Sequence, residues 1–257
     1  MKRALERVRA RAVRFADRLG WRARLQRANE RWSPSRRVRR DGRDKRHFDA
    51  IFASTLASDD LAVDIGANVG AVAASIVRAA PGAKHVLVEP LPDLAARLAE
   101  QFPGCEVHAV ACSDHEGSER FVRVVERPTR SGLDPGEITA GMTTEELVVP
   151  VTTLDALLAG RLPKLVKIDV EGTELDVLRG AAHTLTTARP LVLFEHQPHG
   201  DAGRERSRGI HRLLTAARYR LYDVDGAGPL DEATFVDVAA RGRIWNFVAT
   251  PEATTPE

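Results

Sequence analysis

Apolar and polar positions follow two patterns along this chain: short apolar runs, and longer segments in which apolar residues recur every three or four positions. The apolar runs predict strands that begin at Leu61 and then cover 84–89, 106–111, 165–169 and 191–195. Helical spacing predicts a helix that begins at about Asn68 and others over 48–57, 92–101, 154–159, 173–185 and 206–217. Because strands alternate with helices, we expect a largely parallel sheet with helices on both faces.

Four shorter extended segments lie outside this alternation. Those at 119–125 and 147–151 are separated by a polar segment that contains Pro, Gly and Thr. Those at 220–223 and 243–249 predict an antiparallel pair at one edge of the sheet. The tail 251–257 is predicted to be disordered.

The first 46 residues differ in charge from the rest of the chain. They contain 18 Lys and Arg against 5 Asp and Glu, whereas the remainder contains 20 against 31. Residues 2–31 predict a basic amphipathic helix, and the Arg36–Arg40 cluster after Pro34 is interpreted as a solvated linker. The expected organisation is therefore an extension over 1–46, a domain over 47–250 and the tail.

Several roles remain open for the extension. It could lie on anionic lipid, bind nucleic acid, direct the chain to an organelle, or pack its narrow apolar stripe on the domain. No apolar run approaches the roughly 20 residues of a membrane span, and the basic N-terminus lacks the continuous apolar region of a secretory signal, so we expect a cytoplasmic protein. Peripheral membrane contact through 2–31 remains one of the open roles. Cys105 and Cys112 are expected on one strand, about 23 Å apart and beyond disulfide reach.

The loop after the first predicted strand is the first candidate binding site. It reads Asp64-Ile65-Gly66-Ala67-Asn68-Val69-Gly70, with Asn68 in place of the middle glycine that a dinucleotide pyrophosphate needs. The Asp64 charge would oppose phosphate oxygens, whereas S-adenosylmethionine has no phosphate and carries two cationic groups. The loop therefore favours S-adenosylmethionine, with Asp64, Gly66, Asn68 and Gly70 as binding residues.

Two later strand ends extend this cofactor site. Glu89 ends the second predicted strand, where an acid can accept both hydroxyls of a ribose. Ser113-Asp114 follows the third strand, where a polar side chain could reach an adenine amino group. Glu89 does not by itself separate NAD from S-adenosylmethionine, and Asp114 is equally explained as a turn residue.

The motifs of the central region resemble those of the FkbM family of methyltransferases. In chain order they are Asp64-x-Gly66-Ala67-Asn68-x-Gly70, Glu89-Pro90, Ala111-Cys112-Ser113-Asp114, Val166-Lys167-Ile168-Asp169-Val170-Glu171-Gly172-Thr173-Glu174, Leu178-Arg179-Gly180-Ala181 and Glu195. The resemblance covers residues 61–195, more weakly 246–248, and leaves out the basic extension. It implies a Rossmann-like, doubly wound seven-stranded sheet with an antiparallel edge strand, S-adenosylmethionine as methyl donor, and a hydroxyl acceptor.

Acids at the ends of the fourth and fifth predicted strands are the candidates for catalysis. An alcohol must lose a proton during methyl transfer, and Asp169, Glu171 and His196 could accept it. The resemblance points to Asp169 and Glu171, and the unperturbed pKa of His196 suits a base. The same acids with Glu195 and His196 could instead bind magnesium or manganese, but no short ligand motif supports a metal.

The polar segment 127–146 is a candidate lid over the acceptor. Arg130, Ser131 and Thr143 could bind polyol or carboxylate groups there, and a plain disordered loop is the alternative. The function expected overall is O-methylation of a sugar, glycan or secondary metabolite. A nucleic-acid methyltransferase that uses the basic arm, and a non-catalytic protein tethered to a membrane, remain as alternatives.

Overall fold

A seven-stranded sheet lies at the centre of the fold, in a computed structural model that describes residues 36–125, 131–133 and 142–253, except the side chains of 36–39 and 41. The strands are β1 (Ala62–Ile65), β2 (Val86–Val88), β3 (Glu106–His108), β4 (Ala111–Cys112), β5 (Gly117–Val124), β6 (Thr144–Thr152), β7 (Leu165–Ile168), β8 (Leu191–Glu195), β9 (Tyr219–Asp223) and β10 (Asn246–Pro251).

Helices connect most of these strands. They are α1 (Arg36–Thr55), α2 (Ala71–Ala79), α3 (Pro92–Gln101), α4 (Leu154–Leu158), α5 (Glu174–Arg179), α6 (Ala182–Thr187), α7 (Gly200–Ala216) and α8 (Glu232–Ala240). As predicted, Thr153 caps α4, because its side chain accepts a hydrogen bond from the backbone N–H of Ala156.

The strand order of the large sheet is β3-β2-β1-β7-β8-β10-β9. Its first five strands are parallel, and β10 is antiparallel to both of its neighbours, β8 and β9. This confirms the predicted Rossmann-like α/β fold and the antiparallel pair at one edge. The order reverses between β1 and β7, which is the position where open α/β sheets bind ligands.

A second sheet of three strands lies beside the first in the described part of the chain, in the order β4-β6-β5. The hairpin partners β5 and β6 are antiparallel, and β4 is parallel to β6. The single strand predicted over 106–111 is therefore wrong, since β3 ends at His108 and Ala111 pairs with Val151 of the small sheet. The expectation that Cys105 and Cys112 share one strand is wrong for the same reason.

The helix α1 corrects the interpretation of the Arg36–Arg40 cluster as a linker. The cluster is the first turn and a half of a continuous helix that crosses the boundary predicted at 46/47. Arg40 is buried, with its Nε 2.7 Å from Asp44 Oδ1 and its Nη1 2.8 Å from Asp225 Oδ2. Long-range ion pairs thus fix this segment on the domain. The helix predicted over 2–31 lies outside the described residues.

Three further expectations differ from the structure. The helix predicted over 173–185 is two helices, α5 and α6, and they meet beside Gly180, where an added Cβ would lie 2.0 Å from the Ser113 carbonyl oxygen. The helix α8 lies in a segment, between 223 and 243, for which the sequence pattern predicts no element. Pro251, expected in a disordered tail, is paired with Tyr219 in the sheet, and 254–257 lie outside the described residues.

Apolar side chains cover both faces of the large sheet. Val63, Ile65 and Phe194 belong to the larger core, while Ala62 and Leu165 pack with Phe52 of α1 and its neighbours on the other face. Successive strand residues point to opposite faces. Asp64 and Lys167, which are register partners in β1 and β7, therefore share the face that α1 covers. Among the described helices, none has the length and apolar composition that crossing a membrane requires.

Candidate active site

A cavity of about 510 Å³ opens at the carboxyl ends of β1, β2, β7 and β8. Its position is the one expected of a ligand site in a doubly wound sheet. Most of its lining residues are apolar or acidic, and a few are small and polar. They include Gly66, Ala67, Asn68, Val69, Glu89, Val110, Ala111, Cys112, Phe121, Ser131, Leu133, Asp169, Val170, Glu171, Thr173 and Glu195.

The glycine loop between β1 and α2 forms one side of this cavity. Gly66, Asn68 and Gly70 have positive φ angles of 79°, 49° and 80°. A Cβ on Gly66 would lie 1.8 Å from the carbonyl oxygen of Asp169. Only glycine therefore fits where the first loop meets the end of β7. Gly66 and Asn68 line the cavity, whereas Gly70 is the N-cap of α2 and packs against Phe102.

The carboxylate of Glu89 lies at the same side of the cavity. Its Oε2 accepts a hydrogen bond from the Asn68 N–H at 2.9 Å, and its Oε1 accepts one from the Leu91 N–H at 3.0 Å. Burial raises the pKa of Glu89, and these two hydrogen bonds oppose the rise. Each oxygen retains a second lone pair. The acid is therefore fixed by backbone groups and can accept further hydrogen bonds from a ligand.

Asp64 lies behind the loop and does not line the cavity. Only 1% of its surface is exposed, and its Oδ2 has no hydrogen-bond partner among the described residues. Burial raises the pKa of Asp64 to about 7; Lys167 opposes the rise, and Asp169 and Glu89 add to it. The structure thus brings Gly66, Asn68 and Glu89 together at the cavity and leaves the predicted cofactor acid Asp64 beneath it.

We expect the Asp64→Asn variant to gain stability relative to the parent protein as pH rises. Burial raises the pKa of Asp64 in the native state to about 7, from the ordinary 3.8 of an aspartate side chain. Between these values the native state retains a proton that the unfolded state has released, so stability falls as pH increases. The difference corresponds to roughly 4 kcal/mol, fully developed above pH 7. Asparagine has no such proton to lose.

Urea unfolding at pH 5 and pH 8 measures this effect. The exposed residue Asp59 provides the control, and Asp59→Asn should change stability equally at both pH values. A stability difference between Asp64→Asn and the parent protein that is the same at pH 5 and pH 8 would contradict the expected role of burial.

Three carboxylates meet where the ends of β7 and β8 border the cavity. Oxygens of Asp169, Glu171 and Glu195 lie within 4.8 Å of one another. Lys167 reaches Asp169 from beneath, with its Nζ 3.3 Å from Oδ2. Burial, then the neighbouring charge of Asp169, raises the pKa of Glu195 well above its usual value. The structure therefore brings together Asp169 and Glu171, two of the predicted candidate bases. It also places Glu195 beside them, although the sequence did not predict Glu195 as a base.

The position of Glu195 at the end of β8 was the signal that could have identified it. It borders the cavity beside β7, and Gln197 donates a hydrogen bond from Nε2 to its Oε1 at 2.7 Å. The carboxylates of Asp169, Glu171 and Glu195 could together bind a divalent cation, because such cations prefer oxygen ligands. His196 does not belong to this group, so the metal set that included it is wrong.

His196 faces away from the cavity. It is 3% exposed, and its ring nitrogens contact Glu174 Oε2 at 3.1 Å and Ser207 Oγ at 2.8 Å. Its ring also stacks on Phe235. A base must reach the proton that it removes. The structure therefore does not bring His196 to the position predicted for a catalytic base.

The predicted adenine contacts also lie away from the cavity. Ser113 is buried, and its backbone N–H donates to the Thr152 carbonyl, which follows from the pairing of β4 with β6. Asp114 contacts His115 at 2.9 Å on the surface. Val110, Ala111 and Cys112 occupy the corresponding wall. The divergence of β4 from the large sheet thus replaces the expected polar groups with apolar ones.

Part of the predicted lid borders the cavity. Ser131 and Leu133 line it, and Gly132 forms a bridge with Val122 of β5 through two backbone hydrogen bonds. The Ser131 hydroxyl accepts a hydrogen bond from the Val124 N–H at 3.0 Å. Thr143 does not line the cavity, and Arg130 lies outside the described residues.

Comparison with known proteins gives one family match. The family described as the methyltransferase FkbM domain matches residues 64–221, which is more than half of the chain. This range includes the glycine loop, Glu89 and the three carboxylates. No curated protein matches the sequence.

Solved structures of methyltransferases are similar to this chain at low sequence identity. One is a methyltransferase FkbM from Methylobacillus flagellatus, with 15% identity and a TM-score of 0.46; the match covers 91% of this chain and 60% of that one. Another is the O-methyltransferase TomG from Streptomyces achromogenes, with 14% identity, a TM-score of 0.44, and coverage of 82% and 80%. A third is the StiE O-methyltransferase segment, with 11% identity, a TM-score of 0.46, and coverage of 91% and 82%.

Proposed function

The chain belongs to the methyltransferase FkbM family and is an S-adenosylmethionine-dependent methyltransferase, and we propose that its acceptor is a hydroxyl group of a sugar, glycan or secondary metabolite. The observation that carries this proposal is that one cavity is lined by the glycine loop, by Glu89 and by a cluster of three carboxylates. This arrangement provides one place for a nucleoside and another for a hydroxyl that must be deprotonated.

Gly66, Asn68 and Glu89 would bind the cofactor. The glycine loop lines the cavity, and its close approach to Asp169 leaves no room for a side chain at Gly66. The lone pairs of Glu89 that the backbone does not use can accept the two hydroxyls of a ribose. Asp64 would act indirectly, from beneath the loop, and only in the fraction of molecules in which its carboxyl is ionised, because burial raises its pKa to about 7. The apolar side chains of Val110 and Cys112 line the cavity and would pack against adenine.

Methyl transfer then requires an aligned acceptor and a proton acceptor. The carbon–sulfur bond breaks as the carbon–oxygen bond forms, and its electron pair stays on sulfur, which gives neutral S-adenosylhomocysteine. Alignment of the two reactants can supply about 7–11 kcal/mol of the barrier reduction. Asp169 and Glu171 would orient the hydroxyl and take its proton, with Glu195 beside them.

The charges around the cavity support an acceptor that is neutral or cationic. The described residues that line it include the four acids Glu89, Asp169, Glu171 and Glu195 and no Lys, Arg or His. A phosphate-rich acceptor would be repelled there, which argues against nucleic acid. The basic segment 2–31 that motivated a nucleic-acid arm or a membrane tether lies outside the described residues, so no structural observation favours those alternatives.

The direct test combines binding with product identification. In calorimetric titration S-adenosylhomocysteine should bind, whereas NAD should not. The protein with labelled S-adenosylmethionine should then methylate an oxygen in a panel of neutral glycosides or hydroxylated extracts, with the product identified by mass spectrometry. Label on nitrogen or carbon alone, or on nucleic acid, would refute the proposed acceptor class, and binding of NAD instead would refute the cofactor site.

We expect Glu89→Gln to weaken S-adenosylhomocysteine binding by about 10–100-fold, because hydrogen bonds to a charged group contribute about 1.5–3 kcal/mol each. The amide keeps the size of the side chain but loses the charge and one pair of acceptor sites. Titration calorimetry measures the change, with the exposed Glu100→Gln of α3 as control. Equal affinities of Glu89→Gln and Glu100→Gln would remove Glu89 from the ribose site.

A further inference from the structure

The turn that carries Glu171 has a backbone conformation that needs external support. Glu171 has a φ of 54° and Gly172 a φ of 115°, both in the region that side chains disfavour. Gly132 packs against this turn, since a Cβ there would lie 3.3 Å from the Val170 carbonyl oxygen and 3.4 Å from that of Glu171. The turn lies between β7 and α5, so contacts from other elements must fix it.

Glu174 and Arg206 bind the two sides of Gly172. The Gly172 N–H donates to Glu174 Oε1 at 2.8 Å, and its carbonyl accepts from Arg206 Nη1 at 2.6 Å. Glu174 is 2% exposed, so it is not the solvated helix-start acid that its position in the first turn of α5 would suggest. Its burial leaves its two oxygens dependent on protein donors.

His196 and Ser207 connect Glu174 to α7. The second oxygen of Glu174 contacts His196 Nδ1, and His196 Nε2 contacts the hydroxyl of Ser207. Ser207 also donates a hydrogen bond to the Gly203 carbonyl within α7. The order of the three side chains is that of a Ser–His–acid triad, but Ser207 is 0% exposed and no substrate reaches its oxygen. The chain of contacts therefore ends in the core and starts at the turn.

From these contacts we infer that Glu174, His196 and Ser207 form a positioning relay that fixes the Glu171–Gly172 turn, and with it the Glu171 carboxylate at the cavity. The inference rests on the proposed function, because it assigns the relay to the reacting end of that site. None of the three residues lines the cavity. They act through Gly172, and their loss should displace Glu171 while the glycine loop and Glu89 remain in place.

Hydrogen–deuterium exchange tests the relay without any acceptor. In the Glu174→Ala protein saturated with S-adenosylhomocysteine, exchange in the peptide 169–173 should accelerate, while the peptide over the glycine loop should not change. His196→Asn should give the same pattern, and Ser207→Ala a weaker one, since one member of the relay remains bonded to Glu174. The exposed Glu205→Gln of α7 is the matched control. Unchanged exchange at 169–173 in Glu174→Ala would overturn the relay, whatever the enzyme methylates.

Turnover supplies the second readout. A misplaced catalytic group can cost about 10²-fold in rate, so kcat of Glu174→Ala with the acceptor found in the glycoside panel should fall by about that factor. The affinity for S-adenosylhomocysteine should stay within about twofold, because the glycine loop and Glu89 remain in place. Glu174→Gln can still accept from Gly172 N–H and should recover part of the rate, and it replaces the alanine variant if that protein does not fold.

The outcomes separate the relay from the proposed function. Faster exchange with parental kcat would show a purely structural contact and overturn the positioning role. Loss of cofactor affinity in parallel with kcat would do the same, because it would indicate general disruption of the site. If the parent protein methylates no hydroxyl, the proposed function fails, and the exchange experiment still decides whether the relay supports the turn.

Discussion

Glu171→Gln is expected to lower kcat for methyl transfer by about 10²–10⁴-fold, the usual contribution of a placed acid or base. The amide has nearly the same shape, so the turn should persist, but it cannot accept a proton from the acceptor. In the parent protein, a carboxylate oxygen of Glu171 lies within 4.8 Å of oxygens of Asp169 and Glu195. Initial rates at saturating S-adenosylmethionine, together with the affinity for S-adenosylhomocysteine, separate this loss from loss of binding.

The neighbouring acids provide the comparison. Asp169→Asn should also reduce kcat, because that carboxylate borders the cavity beside Glu171. Lys167 orients it, with its Nζ 3.3 Å from Asp169 Oδ2. Glu195→Gln tests whether the acid with the raised pKa takes the proton instead. Full activity of both Glu171→Gln and Asp169→Asn, with a loss only in Glu195→Gln, would contradict the assignment of the base to the Asp169–Glu171 pair.

Gly66→Ala is expected to abolish measurable cofactor binding and to destabilise the protein by at least about 2 kcal/mol. The left-handed backbone alone costs an alanine about 1–2 kcal/mol. In addition, the new Cβ would lie 1.8 Å from the Asp169 carbonyl oxygen, a backbone atom that a side-chain rotation cannot move. Either the glycine loop or the end of β7 must shift, and both border the cavity.

Thermal unfolding and calorimetric titration with S-adenosylhomocysteine measure the two effects. Gly104→Ala is the matched control, because a Cβ at Gly104 meets no atom within 4 Å. That variant should bind the ligand as the parent protein does. If Gly66→Ala also binds within about threefold of the parent, the loop is not the backbone surface on which the cofactor lies.

Local sequence patterns predicted most of the strands whose ends border the cavity. The predicted helix over 92–101 and strand over 191–195 match α3 and β8 residue for residue, and the strands at β1, β2 and β7 agree within a few residues. Buried parallel strands are short continuous apolar runs, and glycines mark the turns that follow them. These signals are local, so one sequence is sufficient to find them.

Signals that depend on distant partners were misread. The cluster 36–40 looks solvated because it is arginine-rich, yet Arg40 is buried against Asp225, 185 positions away. His196 looked like a base because a histidine beside a strand end could face the ligand, but Glu174 and Ser207 turn it into the core. The extended pattern over 106–111 gives no indication that the chain changes sheets after His108.

By itself, the sequence determined the fold class, because hydrophobic periodicity is a local signal, and its motifs identified the methyltransferase family by resemblance. Turn chemistry is also local, and it predicted Gly66, Glu89, Asp169 and Glu171 at the strand ends. Only the tertiary structure decided which of the candidates meet. It placed Glu195 beside the two acids, buried Asp64 beneath the loop and turned His196 away from the cavity. The physical reason is that burial, charge repulsion and hydrogen-bond partners depend on elements far apart in the chain, which only the packed sheet brings together.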